Sequence, residues 1–233
     1  MTPRRAPGHF ITVEGGDGVG KTTQIARLRD RLTALGHRVV VTREPGGAPG
    51  AEEIRRLLVT GAPDRWSAKT EALLMNAARA DHLERTILPA LAAGKIVLCD
   101  RFADSTLAYQ SLANKGDEDA LSTDWVTKLQ TLVVGAHMPV LTLVLHMGEA
   151  AALARVKDRE TNTGGGETRF EDKGPAFQAR VAAAFVDIAN AAPDRCALVS
   201  AEGSPDDVAT RLWQVVETRL PTLVRARVDR DGR

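Results

Sequence analysis

The run Gly15-Gly16-Asp17-Gly18-Val19-Gly20-Lys21-Thr22-Thr23 constrains this chain more than any other stretch. It fits G-x-x-x-x-G-K-[ST], a pattern that carries meaning only between a strand and a helix. Both flanks supply that context. Phe10-Ile11-Thr12-Val13 ahead of it is rich in β-formers, and Ile25, Leu28, Leu32 and Leu35 behind it recur at helical spacing. Glycines there let backbone N–H groups turn inward and approach an anion at dihedrals that a side chain forbids. The helix start adds unpaired N–H groups and partial positive charge. Residues 15–23 are therefore expected to cradle a polyphosphate, with Lys21 reaching the β- and γ-phosphates and the Thr22 hydroxyl meeting Mg²⁺.

The rest of the composition narrows the setting. With 233 residues, 43% of them apolar, the chain can bury a sizeable core. A net charge of +1 gives no field for nucleic acid or an anionic membrane. The longest apolar stretch, residues 140–145, is far too short to span a bilayer. Arg4-Arg5 is followed by no apolar segment of the kind an export signal needs. Cys99 and Cys196 lie far apart without metal-like spacing, which suits free thiols in a reducing cytoplasm. The expectation is a cytoplasmic protein without membrane or nucleic-acid partners.

Continuous apolar runs predict strands over 10–14, 38–42, 96–100, 140–146 and 197–201. Helical patterns fill the gaps over 22–35, 51–58, 68–93, 105–113, 123–134, 149–159, 175–191 and 205–220. This alternation predicts an α/β three-layer sandwich around a five-stranded parallel sheet, one domain over residues 1–220. Gly164-Gly165-Gly166 marks a mobile patch, and residues 221–233 read as a solvated, charged tail.

Ligands of such sheets collect at the carboxyl ends of the strands. The third strand ends in Cys99-Asp100-Arg101, where an acid can serve Mg²⁺ and an arginine can offset phosphate charge. A structural Asp–Arg pair is the plainer account. Asn114-Lys115-Gly116-Asp117 has the letters of a guanine-reading motif, but it follows a helical pattern rather than a buried strand, and Asp100 is followed by Arg101-Phe102-Ala103 rather than completing a D-x-x-G switch.

Taken together, Asp17 inside the phosphate loop, Thr42-Arg43-Glu44-Pro45-Gly46-Gly47, Ala77-Ala78-Arg79, Asp100-Arg101-Phe102 and the run from Asp104 to Gln110 resemble bacterial thymidylate kinases. The likeness covers roughly residues 9–220 and implies a P-loop nucleotide kinase fold with a small mobile lid at about residues 155–172. It implies Mg-dependent transfer of the ATP γ-phosphoryl group to dTMP, and a homodimer. A kinase of another nucleoside monophosphate, or a nucleotide-binding module without catalysis, would share the loop but not the base-facing set.

The resemblance also assigns roles. Asp17 would bind the deoxyribose 3′-hydroxyl and help place the acceptor phosphate, and Arg55 would hold that phosphate while Arg56 faces solvent. The Glu44-Pro45 bond would be cis. Arg79 would donate to a thymine carbonyl, Thr106 would lie near the base, Gln110 would offer donor and acceptor to its N3–H/O4 edge, and Tyr109 would crowd the sugar 2′ position. Lys21, Arg101 and a basic lid residue, for which Arg159 is the best candidate ahead of Arg169, would neutralise the transferring group. Thr22 and Asp100 would serve Mg²⁺. Two positions depart from the family: Met75 stands where a phenylalanine usually stacks on thymine, and His146 where an aspartate usually ends the strand.

Overall fold

Strand β1 (Phe10–Glu14) is buried along its whole length. In the computed structural model of the chain, which describes residues 8–62, 64–114, 120–148 and 173–224, it is the middle strand of the sheet. With β2 (Val39–Arg43), β3 (Ile96–Asp100), β4 (Leu141–His146) and β5 (Cys196–Ser200), it forms a sheet of order β2-β3-β1-β4-β5. Every neighbouring pair is parallel, so all five carboxyl ends lie on one edge.

The period of two along each strand sorts the residues between two helical layers. Ile11, Val13, Leu98, Leu141, Leu143 and Leu145 pack on α1 (Lys21–Ala34) through Ile25, Leu28 and Leu32. Leu212, Trp213 and Val216 of a C-terminal helix (Pro205–Arg219) complete that side. Phe10, Val97 and Cys99 face the other layer and meet Leu83, Ile87 and Phe102. There the helices are α2 (Pro49–Val59), α3 (Ala68–His82), α4 (Leu88–Ala92), α5 (Ala103–Gln110), α6 (Thr123–Val134) and α7 (Pro175–Ala191); the C-terminal helix is α8. The three-layer α/β sandwich is present as the alternation predicts.

Two segments depart from the sequence reading. The single helix expected over 68–93 widens into a π turn at Leu83–Ile87 before α4 begins. Pro89 explains it, since its ring nitrogen cannot donate to the Arg85 carbonyl and crowds it. The solvated tail expected from residue 221 is corrected for its first four residues: α9 (Pro221–Val224) buries Leu223, whose carbonyl oxygen lies 2.8 Å from His37 Nε2. Residues 225–233, the lid and the expected helix over 149–159 lie outside the described residues.

The sheet face toward α5 holds a polar column. The Thr12 and Thr142 hydroxyls are 2.9 Å apart, and Thr142 lies 3.3 Å from Asp104. Arg195, just before β5, closes a two-pronged contact on Asp104 at 2.7 and 2.8 Å. Asp104 is buried, and a buried charge is tolerated only when paired. Removing the partner strands it. Arg195→Met is therefore expected to lower the free energy of urea unfolding by about 3 kcal/mol; a loss under about 1 kcal/mol, the scale of an exposed pair, would contradict this account.

Candidate active site

The chain leaves β1 through Gly15, whose φ is +133° and where a Cβ would lie 2.3 Å from the Leu145 carbonyl oxygen. Only glycine fits. The loop then turns into α1, and Gly20, its N-cap residue, provides no side-chain acceptor, so the first-turn N–H groups are open to a ligand. Lys21 folds back over the loop and donates to the carbonyls of Gly15 (3.1 Å) and Gly16 (2.8 Å). Burial lowers its pKa to about 8, with Arg101 adding repulsion and Asp17, Asp100 and Glu14 pulling the other way. Val19 turns its side chain into the core and can offer a ligand only main chain.

Beside the loop, β3 delivers Asp100 and then Arg101, whose φ of +67° makes it the sole non-glycine residue with positive φ among the described residues. Such a conformation costs about 1–3 kcal/mol and needs support. Glu14 supplies it. The fully buried Glu14 carboxyl accepts the Phe102 N–H and the Ser105 hydroxyl, both at 2.7 Å, while the Arg101 N–H donates to Val13 O at 3.1 Å. Burial and the nearby Asp104 charge push Glu14 up to about 8, against the opposing pull of Arg101 and the two donors. Arg101 in turn donates to Asp17 Oδ1 at 2.7 Å, and the Tyr109 hydroxyl donates to Oδ2 at 3.1 Å. Burial alone would raise the Asp17 carboxyl; Arg101, Lys21 and these hydrogen bonds outweigh it and hold it below the ordinary carboxylate range.

The opposite wall comes from α3 and α5. On α3, Glu71, Met75, Arg79 and His82 share one face by their spacing of four, four and three. Arg79 is 1% exposed, with Nε on Glu44 (2.8 Å), Nη1 on Asn76 (3.2 Å) and Nη2 on Phe102 O (3.0 Å) and Thr106 (2.9 Å). Four of its five N–H donors are engaged among the described residues, and one on Nη1 is left for a ligand. His82 Nδ1 lies 3.0 Å from Glu44 and its Nε2 2.7 Å from the Thr42 hydroxyl. Gly47 makes room for this chain, since a Cβ there would meet His82 and Thr42 at 2.4 Å. Gln110, one turn beyond Thr106, donates to Glu71 at 2.7 Å.

All these surfaces face one cavity of about 640 Å³. Of the residues singled out from the sequence, Asp17, Gly18, Gly20, Lys21, Thr22 and Thr23 line its loop side, with Asp100, Arg101 and Tyr109 beside them. Glu44, Pro45, Arg55, Met75, Arg79, Thr106 and Gln110 line the far side. Gly15, Gly16 and Val19 do not line it, and Arg159 and Arg169 lie outside the described residues. The Glu44-Pro45 bond is cis, as the resemblance implies. Arg55 donates to Pro45 O at 2.7 Å, whereas Arg56 is exposed and pairs with Glu53. Gln110 donates one amide N–H to Glu71, which fixes the amide and leaves its acceptor oxygen and its second N–H for a ligand.

Sequence reasoning missed Glu14, Glu71 and His82. Each is an ionisable residue on a face otherwise reserved for the core: Glu14 ends a buried strand, and the other two repeat at helical spacing with Arg79. Possible Mg²⁺ ligands are the Thr22 hydroxyl and the Asp100 carboxylate, whose oxygens are 3.2 Å apart. Hard oxygen donors in small number suit this ion, which keeps waters and takes further ligands from phosphates. No cluster of three or more His, Cys, Asp or Glu occurs among the described residues.

Known proteins resemble this chain in sequence and in fold. A family model described as "Thymidylate kinase" matches residues 13–212. A thymidylate kinase of Caulobacter vibrioides is 53% identical over 91% of this chain and 98% of its own length. One from Ruegeria pomeroyi is 51% identical over 91% and 96%. The crystal structure of a thymidylate kinase from Ehrlichia chaffeensis superimposes with a TM-score of 0.68 at 31% identity, covering 91% of this chain and 99% of that one. Sequence and fold thus agree, and this chain belongs to the thymidylate kinase family.

Proposed function

We propose that the protein transfers the γ-phosphoryl group of ATP to dTMP, giving dTDP and ADP, with each half of the cavity holding one substrate. The carrying observation is that an uncapped helix start with Lys21 and a polar slot between α3 and α5 open into the same cavity. ATP phosphates lie along the main chain of the loop and the start of α1, with Lys21 on the β- and γ-groups. Thr22 and Asp100 hold Mg²⁺, which when bound neutralises phosphate charge and orients the oxygens.

Acceptor dTMP fills the other half. Arg55 holds its 5′-phosphate, Asp17 takes the 3′-hydroxyl on lone pairs that Arg101 and Tyr109 leave, and Tyr109 closes the space at the sugar 2′ position. The base lies against Met75, whose thioether covers a ring face with less fixed geometry than an aromatic. The remaining Arg79 N–H meets a carbonyl, with Thr106 alongside. Arg101 reaches both phosphates and offsets the charge that develops in transfer, assisted by Arg159 of the lid. Transfer of this kind asks for positioning and charge more than for covalent chemistry, and exclusion of water protects the donor.

The family resemblance supports a homodimer. Leu57 on α2, Leu73 on α3 and Leu132 on α6 are exposed, and these helices pack in sequence, α2 on α3 and α3 on α6. We place the reaction in the cytoplasm, where the two free cysteines suit reducing conditions. No helix among the described residues is long and apolar enough to cross a membrane.

A coupled ADP-release assay across dTMP, dUMP, dCMP and AMP is expected to show preference for dTMP. Lys21→Ala should cut that turnover by on the order of 10²–10³ while the unfolding curve changes little; near-normal turnover would contradict the assigned role. The protonation of Lys21 gives a further test. Its ammonium is charged below about 8 and neutral above it, so affinity for ATP should hold steady to about pH 7 and weaken by up to about tenfold per unit above 8. Lys21→Arg, whose guanidinium stays charged, should remove that inflection when nucleotide binding is titrated by calorimetry.

A further inference from the structure

Glu71 stands in the first turn of α3, 2% exposed, its Oε1 accepting the Gln110 Nε2–H at 2.7 Å, with Lys173 Nζ 3.7 Å from the same oxygen. An acid in a first turn favours the helix dipole, but an exposed one would serve equally, and burial is costly for a carboxylate. The contact across to α5 is what the burial secures. A carboxylate only accepts hydrogen bonds, so the Gln110 amide must present its nitrogen; turned over, it would set oxygen against oxygen. The oxygen is thereby left without a protein partner among the described residues, with the second N–H of the amide beside it. Gln110 lines the cavity, and its buried Oε1 has no hydrogen-bond partner among the described residues. An orphaned buried acceptor is an unfavourable feature that a ligand donor would relieve.

We propose that Glu71 is a positioning residue for base selectivity: by fixing the Gln110 amide it makes the cavity present an acceptor, which suits a pyrimidine carrying an N3–H and opposes one with a lone pair at N3. Thymine and uracil are of the first kind and cytosine of the second. The inference rests on the reading of dTMP as acceptor and adds the element that rejects dCMP. Arg79 is held by Glu44 and Phe102 O, and Thr106 accepts from Arg79, so Gln110 is the base-facing residue that Glu71 holds.

The test is the ratio of kcat/KM for dTMP to that for dCMP in the full-length protein. In Glu71→Gln, which can meet the amide in either orientation, the ratio is expected to fall by about tenfold or more, through a higher KM for dTMP and a lower one for dCMP, with KM for ATP unchanged. In a Gln110→Leu background the same substitution should alter the ratio no further. Glu71→Met provides a second, apolar variant, with thermal midpoints recorded for each. A ratio within about twofold of wild type in a folded Glu71 variant, or equal losses on both acceptors, would overturn the inference and leave the dTMP reading intact. A wild-type protein inert toward dTMP would overturn that reading and the inference with it.

Discussion

Everything at the open edge of the sheet hangs on the buried carboxyl of Glu14. It ends β1, the central strand, and its two oxygens take the Phe102 N–H and the Ser105 hydroxyl from the turn that follows β3. That contact keeps Arg101 in a left-handed conformation that arginine rarely adopts. From there the guanidinium reaches Asp17 in the phosphate loop, and the Phe102 carbonyl receives Arg79 from α3. One acid therefore ties the loop, the end of β3 and the far wall into a single unit. The parallel pairing of β1 with β3 and β4 is the precondition, because it sets these ends side by side.

Three of the cavity's cations are held by protein acceptors before any ligand arrives. Arg101 rests on Asp17, Arg79 on Glu44, and Lys21 on loop carbonyls. Buried cations held this way cannot wander, and a phosphate entering the site meets charge whose desolvation has already been offset by the fold. Burial first, and then Arg101, depresses the pKa of Lys21, while Asp17 is held low because Arg101 and Lys21 outweigh its own burial. On the far wall the logic changes from charge to direction, with amide, hydroxyl and guanidinium each committed to a protein partner on one side.

Much of this was legible in the sequence, for identifiable reasons. Buried parallel strands are continuous apolar runs, so β1 and β3 could be read to the residue, and the phosphate loop announces itself through glycine spacing. The π turn at Leu83–Ile87 was not legible, because helical periodicity carries across it and only Pro89 hints at a break. Nor was the burial of Leu223, where a charged tail masks one apolar residue that docks. The functional residues that escaped, Glu14, Glu71 and His82, act through other side chains. Their contacts join positions 38 to 91 residues apart, a pairing that no local pattern encodes. Resemblance to a family carried the base-facing residues forward, but the geometry was needed to learn that Glu71 fixes the Gln110 amide and leaves its oxygen without a protein partner among the described residues.

The central claim is that donor and acceptor share one cavity, phosphates toward Lys21 and Arg101 and base toward α3 and α5. A crystal structure with one molecule that joins adenosine and thymidine 5′ to 5′ through a chain of phosphates tests it most directly. The account predicts the phosphates along the loop main chain, within hydrogen-bond distance of Lys21 and Arg101, and the thymine between Met75 and Gln110. A thymine bound outside the α3–α5 slot, or phosphates that bypass the loop N–H groups, would contradict it.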